Sequence, residues 1–331
     1  MYTKTEILQI AKEQLALDYN CQVSDFEKWS KETTKYNLGE EFALERVEYT
    51  EFSKYHSVYH GLQKANGWFK KSFDMMRSVV CKDDDYFWII KDCVKVGGIF
   101  IQPNHIGELF VIPPYSDEYK LLKKVKEILV YWSDRNKNIE VSVVELSQID
   151  IYEKIGFIKG ESGRWMIRPT EEFKVTWERD FNIVIPKEEN KLEMAELIFQ
   201  AFQNDVGLNS TYSVEERVSW IEDYFKDNSQ IEVLNKASTL IYNKKTKELV
   251  GVCLISLWQE WPLVWEIAVN PSYAGKGLGT KMLKKALSVL QEEYPVLRLY
   301  VTVGNKAENV YHNLGFLKGL ELVDMKLIPD N

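Results

Sequence analysis

Three short stretches of this chain occur twice, in the same order and at nearly the same separation. Gly107-Glu108-Leu109-Phe110-Val111-Ile112-Pro113 reads like Trp265-Glu266-Ile267-Ala268-Val269-Asn270-Pro271, and Tyr152-Glu153-Lys154-Ile155-Gly156-Phe157 reads like Tyr311-His312-Asn313-Leu314-Gly315-Phe316. Upstream, Val96-Gly97-Gly98-Ile99-Phe100 resembles Val250-Gly251-Val252-Cys253-Leu254, so all three pairs are displaced by about 154–159 residues. A repeat of that length is one domain's worth of chain. The 331 residues therefore divide into two copies of one unit, each long enough for its own core. The copies are expected over 1–170 and 180–331, with the join near Pro169–Arg179, where charged residues interrupt the apolar pattern.

Each copy reads as α+β. In the second, strands are expected at 181–186, 237–243, 249–258 and 263–269, and helices at 190–204 and 213–226. A helix then starts in a glycine cluster, with Leu278, Met282, Leu283, Ala286, Leu287 and Leu290 inward and Lys281, Lys284 and Lys285 outward. Pro295 ends it, and a strand at 297–303 and a short helix at 307–314 follow. Residues 1–60 read as mainly helical and have no clean counterpart ahead of the second copy.

Composition narrows the function classes. Hydrophobic residues at 45% and charged residues at 28% are ordinary globular values. A net charge of −8 with scattered basic residues argues against gripping nucleic acid or an anionic membrane by charge, and suits a cationic or amine substrate. The N-terminal MYTKTEILQIAKEQ lacks a signal-peptide core, and no run approaches the roughly 18 apolar residues of a membrane span, so a cytoplasmic protein is expected. Cys21, Cys81, Cys93 and Cys253 show no CxxC spacing and read as reduced thiols.

The chemistry is concentrated in Tyr273-Ala274-Gly275-Lys276-Gly277-Leu278-Gly279-Thr280, which joins a strand to the amphipathic helix. Glycines let the backbone approach a ligand and point successive N–H groups at one spot, and the helix N-terminus adds its positive end. That makes a phosphate or pyrophosphate site. A Walker loop is excluded because GxxxxGK[ST] does not occur, and a dinucleotide fingerprint is excluded by the GxGxG spacing and the late position.

The stretch VNPSYAGKGLGTKML resembles the acyl-CoA pyrophosphate loop of the GNAT acyltransferase superfamily, [RQ]xxGx[GA] after a strand ending V-x-P. Gly277 and Gly279 occupy the glycine positions and Val269 and Pro271 the strand end, while Ala274 replaces the usual Arg or Gln. The family's second signature, a helix ending Y-x-x-x-G-F, is matched by Tyr311 through Phe316, with Asn305 one residue closer to the tyrosine than usual. The resemblance covers about residues 250–318. It implies, for each copy, a three-layer α/β domain whose twisted, mixed, mostly antiparallel sheet is flanked by helices, with the fourth and fifth strands splayed around a thioester. It also implies acetyl-CoA as co-substrate, held by Ile267, Ala268 and Val269, by Gly275, Lys276, Gly277, Leu278, Gly279 and Thr280, and by Asn305. Tyr311 becomes the acid that protonates the leaving thiolate.

Glu266 is the candidate base, since alternation puts Glu266, Ala268 and Asn270 on one strand face and Trp265, Ile267 and Val269 on the other. A surface or helix-paired glutamate is the equal alternative, and Glu108 at the matching place in the first copy favours it. The first copy has Asp117, Glu118, Tyr119 and Leu121 where the second has Gly275, Lys276, Gly277 and Gly279. Two carboxylates there repel a pyrophosphate by roughly 3 kcal/mol per like-charge pair near 5 Å. The first copy is therefore expected not to bind CoA conventionally.

His56 and His60 stand at i, i+4 and could share a helix face. With no Cys or third His nearby in sequence they read as surface polar residues, and no metal is expected. Trp258-Gln259-Glu260-Trp261-Pro262 could hold an ammonium by cation–π contact or equally pack at the core edge, and Glu215, Glu216 and Asp223 could shape acceptor specificity or equally form a solvated helix face. The expected reaction is acetyl transfer to a primary amine of a small molecule or peptide by direct attack, without nucleic acid or membrane partners. A non-catalytic acyl-CoA-binding protein and an acyl-tRNA-dependent ligase are the rivals, the second opposed by the negative charge.

Overall fold

The computed structural model describes residues 26–39, 41–61, 73–80, 85–203 and 211–329. The chain forms two compact units, Glu161–Leu322 and Met1–Gly160 together with Val323–Asn331. These are not the two sequence copies. Each unit takes its last strand from the other copy.

In the first unit, strands β1 (Lys35–Gly39), β2 (Phe42–Arg46), β3 (Tyr86–Lys91), β4 (Val94–Gln102), β5 (His105–Val111) and β6 (Ile139–Glu145) lie side by side in that order. The next strand beside β6 is the end of the chain, Val323–Leu327. Its Val323 and Met325 are buried in the same apolar cluster as Val141, Val144, Leu122 and Ile128. Helices α1 (Tyr49–His56), α2 (Phe73–Arg77), α3 (Glu118–Trp132) and α4 (Ile149–Lys154) complete the unit. Within the described part of residues 1–60, β1 and β2 correct the reading as mainly helical: Tyr36 and Leu38 alternate with exposed neighbours, a period of two. Cys21, Cys81 and the N-terminal MYTKTEILQIAKEQ lie outside the described residues.

The second unit orders its strands β8 (Phe181–Val184), β9 (Thr239–Asn243), β10 (Leu249–Trp258), β11 (Trp261–Val269), β12 (Val296–Thr302) and β7. β7 spans Ile158–Pro169, and its residues from Gly163 onward pair antiparallel with β12, Met166 opposite Leu299. Helices α5 (Lys191–Phe202) and α6 (Val214–Asn228) cover one face of the sheet. α7 (Glu232–Ala237), α8 (Leu278–Leu290) and α9 (Ala307–Asn313) cover the other, which gives the three-layer arrangement. All six apolar positions expected inward on α8 are buried there. Lys285 departs from the expected outward face. Its Nζ donates to the carbonyls of Lys236 and Ser238 and to Thr239 Oγ1, and desolvation lowers its pKa to about 8.

Both units share one irregularity. β5–β6 and β11–β12 are parallel pairs, and each is joined at only two positions: His105 and Ile106 to Glu140 and Val141, Leu263 and Val264 to Arg298 and Leu299. Beyond these the strands part. No helix among the described residues is long and apolar enough to cross a membrane.

The exchanged strands make a direct prediction. Met325→Ala, at a site 1% exposed, should cost about 3 kcal/mol. By hydrogen exchange the lost protection should appear in β6. Loss confined to β12 would contradict the assignment of the chain end to the first unit.

Candidate active site

In the second unit a β-bulge sets the chemistry. Along β10–β11, Leu254 faces Glu266 but Ile255 faces Val264, so Trp265 has no partner. The extra residue breaks strict alternation. Val264, Ile267 and Val269 pack towards α8, while Ala268 and Trp265 pack with α5 and α6. Trp265 thus lies on the face opposite to the one expected for it, and Glu266 lines the α6 side as expected.

Glu266 lies in a cleft of about 430 Å³ with Trp220, Asp223, Tyr224, Asp227 and Asn228 of α6, and Ser256 and Trp265. Desolvation raises the Glu266 carboxyl to about 7, against the pull of the Arg217 guanidinium and of the Ile267 N–H, 3.3 Å from Oε1. Arg217 itself is buried. A carboxyl of this kind is half ionised near neutral pH, which suits a proton acceptor. Of the helix carboxylates singled out in the sequence, Asp223 faces the cleft. Glu216 instead closes a capping box with Ser213 at the start of α6. Asp227 and Trp220 were missed, although Trp220, Asp223, Tyr224 and Asp227 fall at helical spacing on one face.

The strand edge beyond the bulge faces the splay. Asn270 N–H bonds to Val250 O of β10, so alternation directs the backbone groups of Ala268 to β10 and those of Ile267 and Val269 to the gap. Two of the three expected strand residues therefore offer backbone to a ligand there, and Ala268 does not. The strand then runs into the glycine loop. Asn270 Oδ1 accepts from Ser272 N–H, Gly275 and Gly277 adopt φ of +76° and +73°, and α8 begins at Leu278 without a side-chain cap. A Cβ at Gly275 or Gly277 would meet nothing within 4 Å, and one at Gly279 would meet only Val269 at 3.9 Å. The first-turn N–H groups of Leu278, Gly279 and Thr280 lack intrahelical acceptors, as at any helix start. Lys276 lays its Nζ over the Tyr273 ring at 4.4 Å.

Tyr311 is on α9, 8% exposed, in the apolar cluster that Ile267 and Val269 also join. Asn305 Oδ1 accepts from Ala307 N–H at 2.8 Å, so its oxygen serves the start of α9. The Trp258–Pro262 turn already has its cation: Arg298 lies 5.2 Å from the Trp258 ring and 5.4 Å from Trp165.

The first unit closes the equivalent helix start. Asp117 Oδ1 accepts from Lys120 N–H at 2.9 Å, capping α3 with a carboxylate, and Leu121 is fully buried. Glu118 Oε1 accepts from Gln148.

Residues 194–316 match the acetyltransferase (GNAT) family. Among solved structures the chain is similar to a GCN5-related N-acetyltransferase from Sphaerobacter thermophilus, at 12% identity and a TM-score of 0.66, over 88% of this chain and 96% of that one. It is also similar to a tandem GNAT protein from the clavulanic acid biosynthesis pathway, at 12% identity and a TM-score of 0.61, over 88% and 99%. At these identities the likeness is one of fold.

The raised pKa of Glu266 predicts a pH effect on stability. Its folded value lies above the ordinary 4.5, so the folded state holds a proton that the unfolded state has lost between pH 4.5 and about 7. Stability contributed by this site is therefore lost as pH rises through that window. Glu266→Gln should raise Tm relative to the native chain at pH 8 and leave it nearly unchanged at pH 4. Equal Tm differences at both pH values would show that the carboxyl is not desolvated.

Proposed function

We propose that this chain, whose residues 194–316 match the GNAT acetyltransferase family and whose fold is similar to that of a tandem GNAT protein, transfers an acetyl group from acetyl-CoA to a primary amine of a small molecule or peptide. One observation carries this reading: a single strand leads from the cleft carboxyl of Glu266 to the uncapped, glycine-lined start of α8. The glycine loop and helix N-terminus take the pyrophosphate, and the gap-facing backbone of Ile267 and Val269 pairs with the pantetheine amides as an added strand would. The acceptor enters from the α6 cleft, where Asp223 and Asp227 favour a cation and Trp220 supplies an aromatic face.

Glu266 takes the ammonium proton, directly or through a water. The free amine nitrogen attacks the thioester carbonyl, a C–N bond forms and the C–S bond breaks. Tyr311 gives its hydroxyl proton to the departing thiolate, and the proton that the acylated nitrogen sheds restores the phenol. No cysteine lies in either motif, which favours direct attack over an acyl-enzyme. The free thiols of Cys93 and Cys253 fit a reducing, cytoplasmic setting.

Calorimetric titration with acetyl-CoA should find one site per chain, lost in Gly277→Glu. Absence of binding to the native chain would remove the donor assignment. In an amine-acceptor screen, kcat/KM should climb as pH passes through about 7, and Glu266→Gln should lose that limb, with a drop of about 100-fold at pH 8. Tyr311→Phe should lower turnover by a similar factor with acetyl-CoA affinity nearly intact. Turnover equal to native in both variants would leave a CoA-binding protein whose chemistry lies elsewhere.

A further inference from the structure

The first unit has rebuilt the position that Glu266 occupies in the second. Glu108, its match in the repeat, sits on β5 at a bulge, where Gly98 faces Phe110 and Phe100 faces Gly107. Its φ is +52°, a left-handed conformation that costs a non-glycine residue about 1 kcal/mol and is often retained at functional sites. The side chain meets two histidines brought from another part of the fold. α1 runs into a π-helical turn, Ser57–Gly61, and π turns within helices are frequent at functional sites. His56 and His60 stack across this junction with ring centroids 4.7 Å apart.

His56 Nε2 lies 2.8 Å from Glu108 Oε2, and Tyr86 Oη donates to that same oxygen at 2.7 Å. One ligand atom from each of His56, His60 and Glu108 falls within 4.8 Å of the others. The expectation that both histidines are surface polar residues does not hold for His56, which is 4% exposed and walled by Phe52, Tyr86 and Phe110. Its Nδ1 is buried with no hydrogen-bond partner, an arrangement that proteins rarely leave without a reason.

We propose that His56, His60 and Glu108 bind one divalent late first-row metal ion, Zn2+ by preference, with a solvent molecule in the remaining position. Two imidazoles and a carboxylate are a donor set that zinc accepts with an open fourth site. The carboxylate side chain is 34% exposed, which provides the access for solvent and for loading. Tetrahedral ligands at about 2.0–2.2 Å from zinc lie about 3.3 Å apart. The His56–Glu108 contact of 2.8 Å therefore opens slightly, and the widest separation, at most 4.8 Å, closes by about 1.5 Å. Tyr86, bonded to the carboxylate, is the outer partner that orients it. The repeat then accounts for the two units differently: the second keeps the strand carboxyl as a proton acceptor, and the first uses it as a ligand.

The test uses the untagged full chain. Zn2+ titration by calorimetry should give one site per chain, and Co2+ loading should give visible d–d bands of a low-coordinate nitrogen–oxygen site. His60→Ala and Glu108→Gln should each weaken Zn2+ binding by at least about 100-fold. His105→Ala and His312→Ala, the only other histidines, should leave it unchanged. Excess Zn2+ should also raise the Tm of the native chain and not of the ligand variants. Absence of Zn2+ heat together with absence of Co2+ bands in the native chain would overturn the site without recourse to any variant. So would binding that survives both ligand substitutions, and the constellation would then be an imidazolium–carboxylate pair.

Discussion

The parallel pairing of β11 with β12 stops after two residue pairs, and most of what the second unit can do depends on that interruption. A sheet continued through Val269 would bury the backbone of Ile267 and Val269 in ladder bonds and close the space between the strands. The bulge at Trp265 adds the second half of the constraint. By inserting one residue it turns Trp265 and Glu266 towards α6 together, so a carboxylate and an indole share one wall of the cleft. The helix that follows starts on glycines in left-handed conformations because a side chain at Gly277 would be strained and would fill the space above the loop.

How much of this could be read from the sequence varies with the range of the interaction. α8 was legible because six apolar residues recur at helical spacing, and the turn before it because glycines cluster ahead of that helix. Glu266 was placed on the correct face, and Trp265 was not, since a bulge leaves no mark in the period-two pattern. Lys285 reads as a surface lysine by periodicity, yet its ammonium is held by carbonyls from the end of α7 and the start of β9, a contact no local rule anticipates. His56, His60 and Glu108 illustrate the same limit: the helix spacing was visible, but the third member lies about fifty residues away and is brought in by strand order. Asp227 and Trp220 are different. Their spacing with Asp223 was present in the sequence and simply invited no reading until β11 was seen beside them.

The two units also cap the corresponding helix starts differently. In the second, α8 begins without a side-chain cap hydrogen bond. In the first, Asp117 Oδ1 accepts from Lys120 N–H and Leu121 is buried beneath it. A carboxylate cap of this kind stabilises a helix by about 1 kcal/mol.

The exchange of terminal strands has a consequence for how the chain is made. Val143 N–H bonds to Asp324 Oδ1 across 181 residues of sequence, and Val323 and Met325 complete a core whose other members are all synthesised far earlier. On the ribosome β6 stays a bare edge until residues 323–327 have been made, and a chain truncated anywhere before Val323 leaves that edge open.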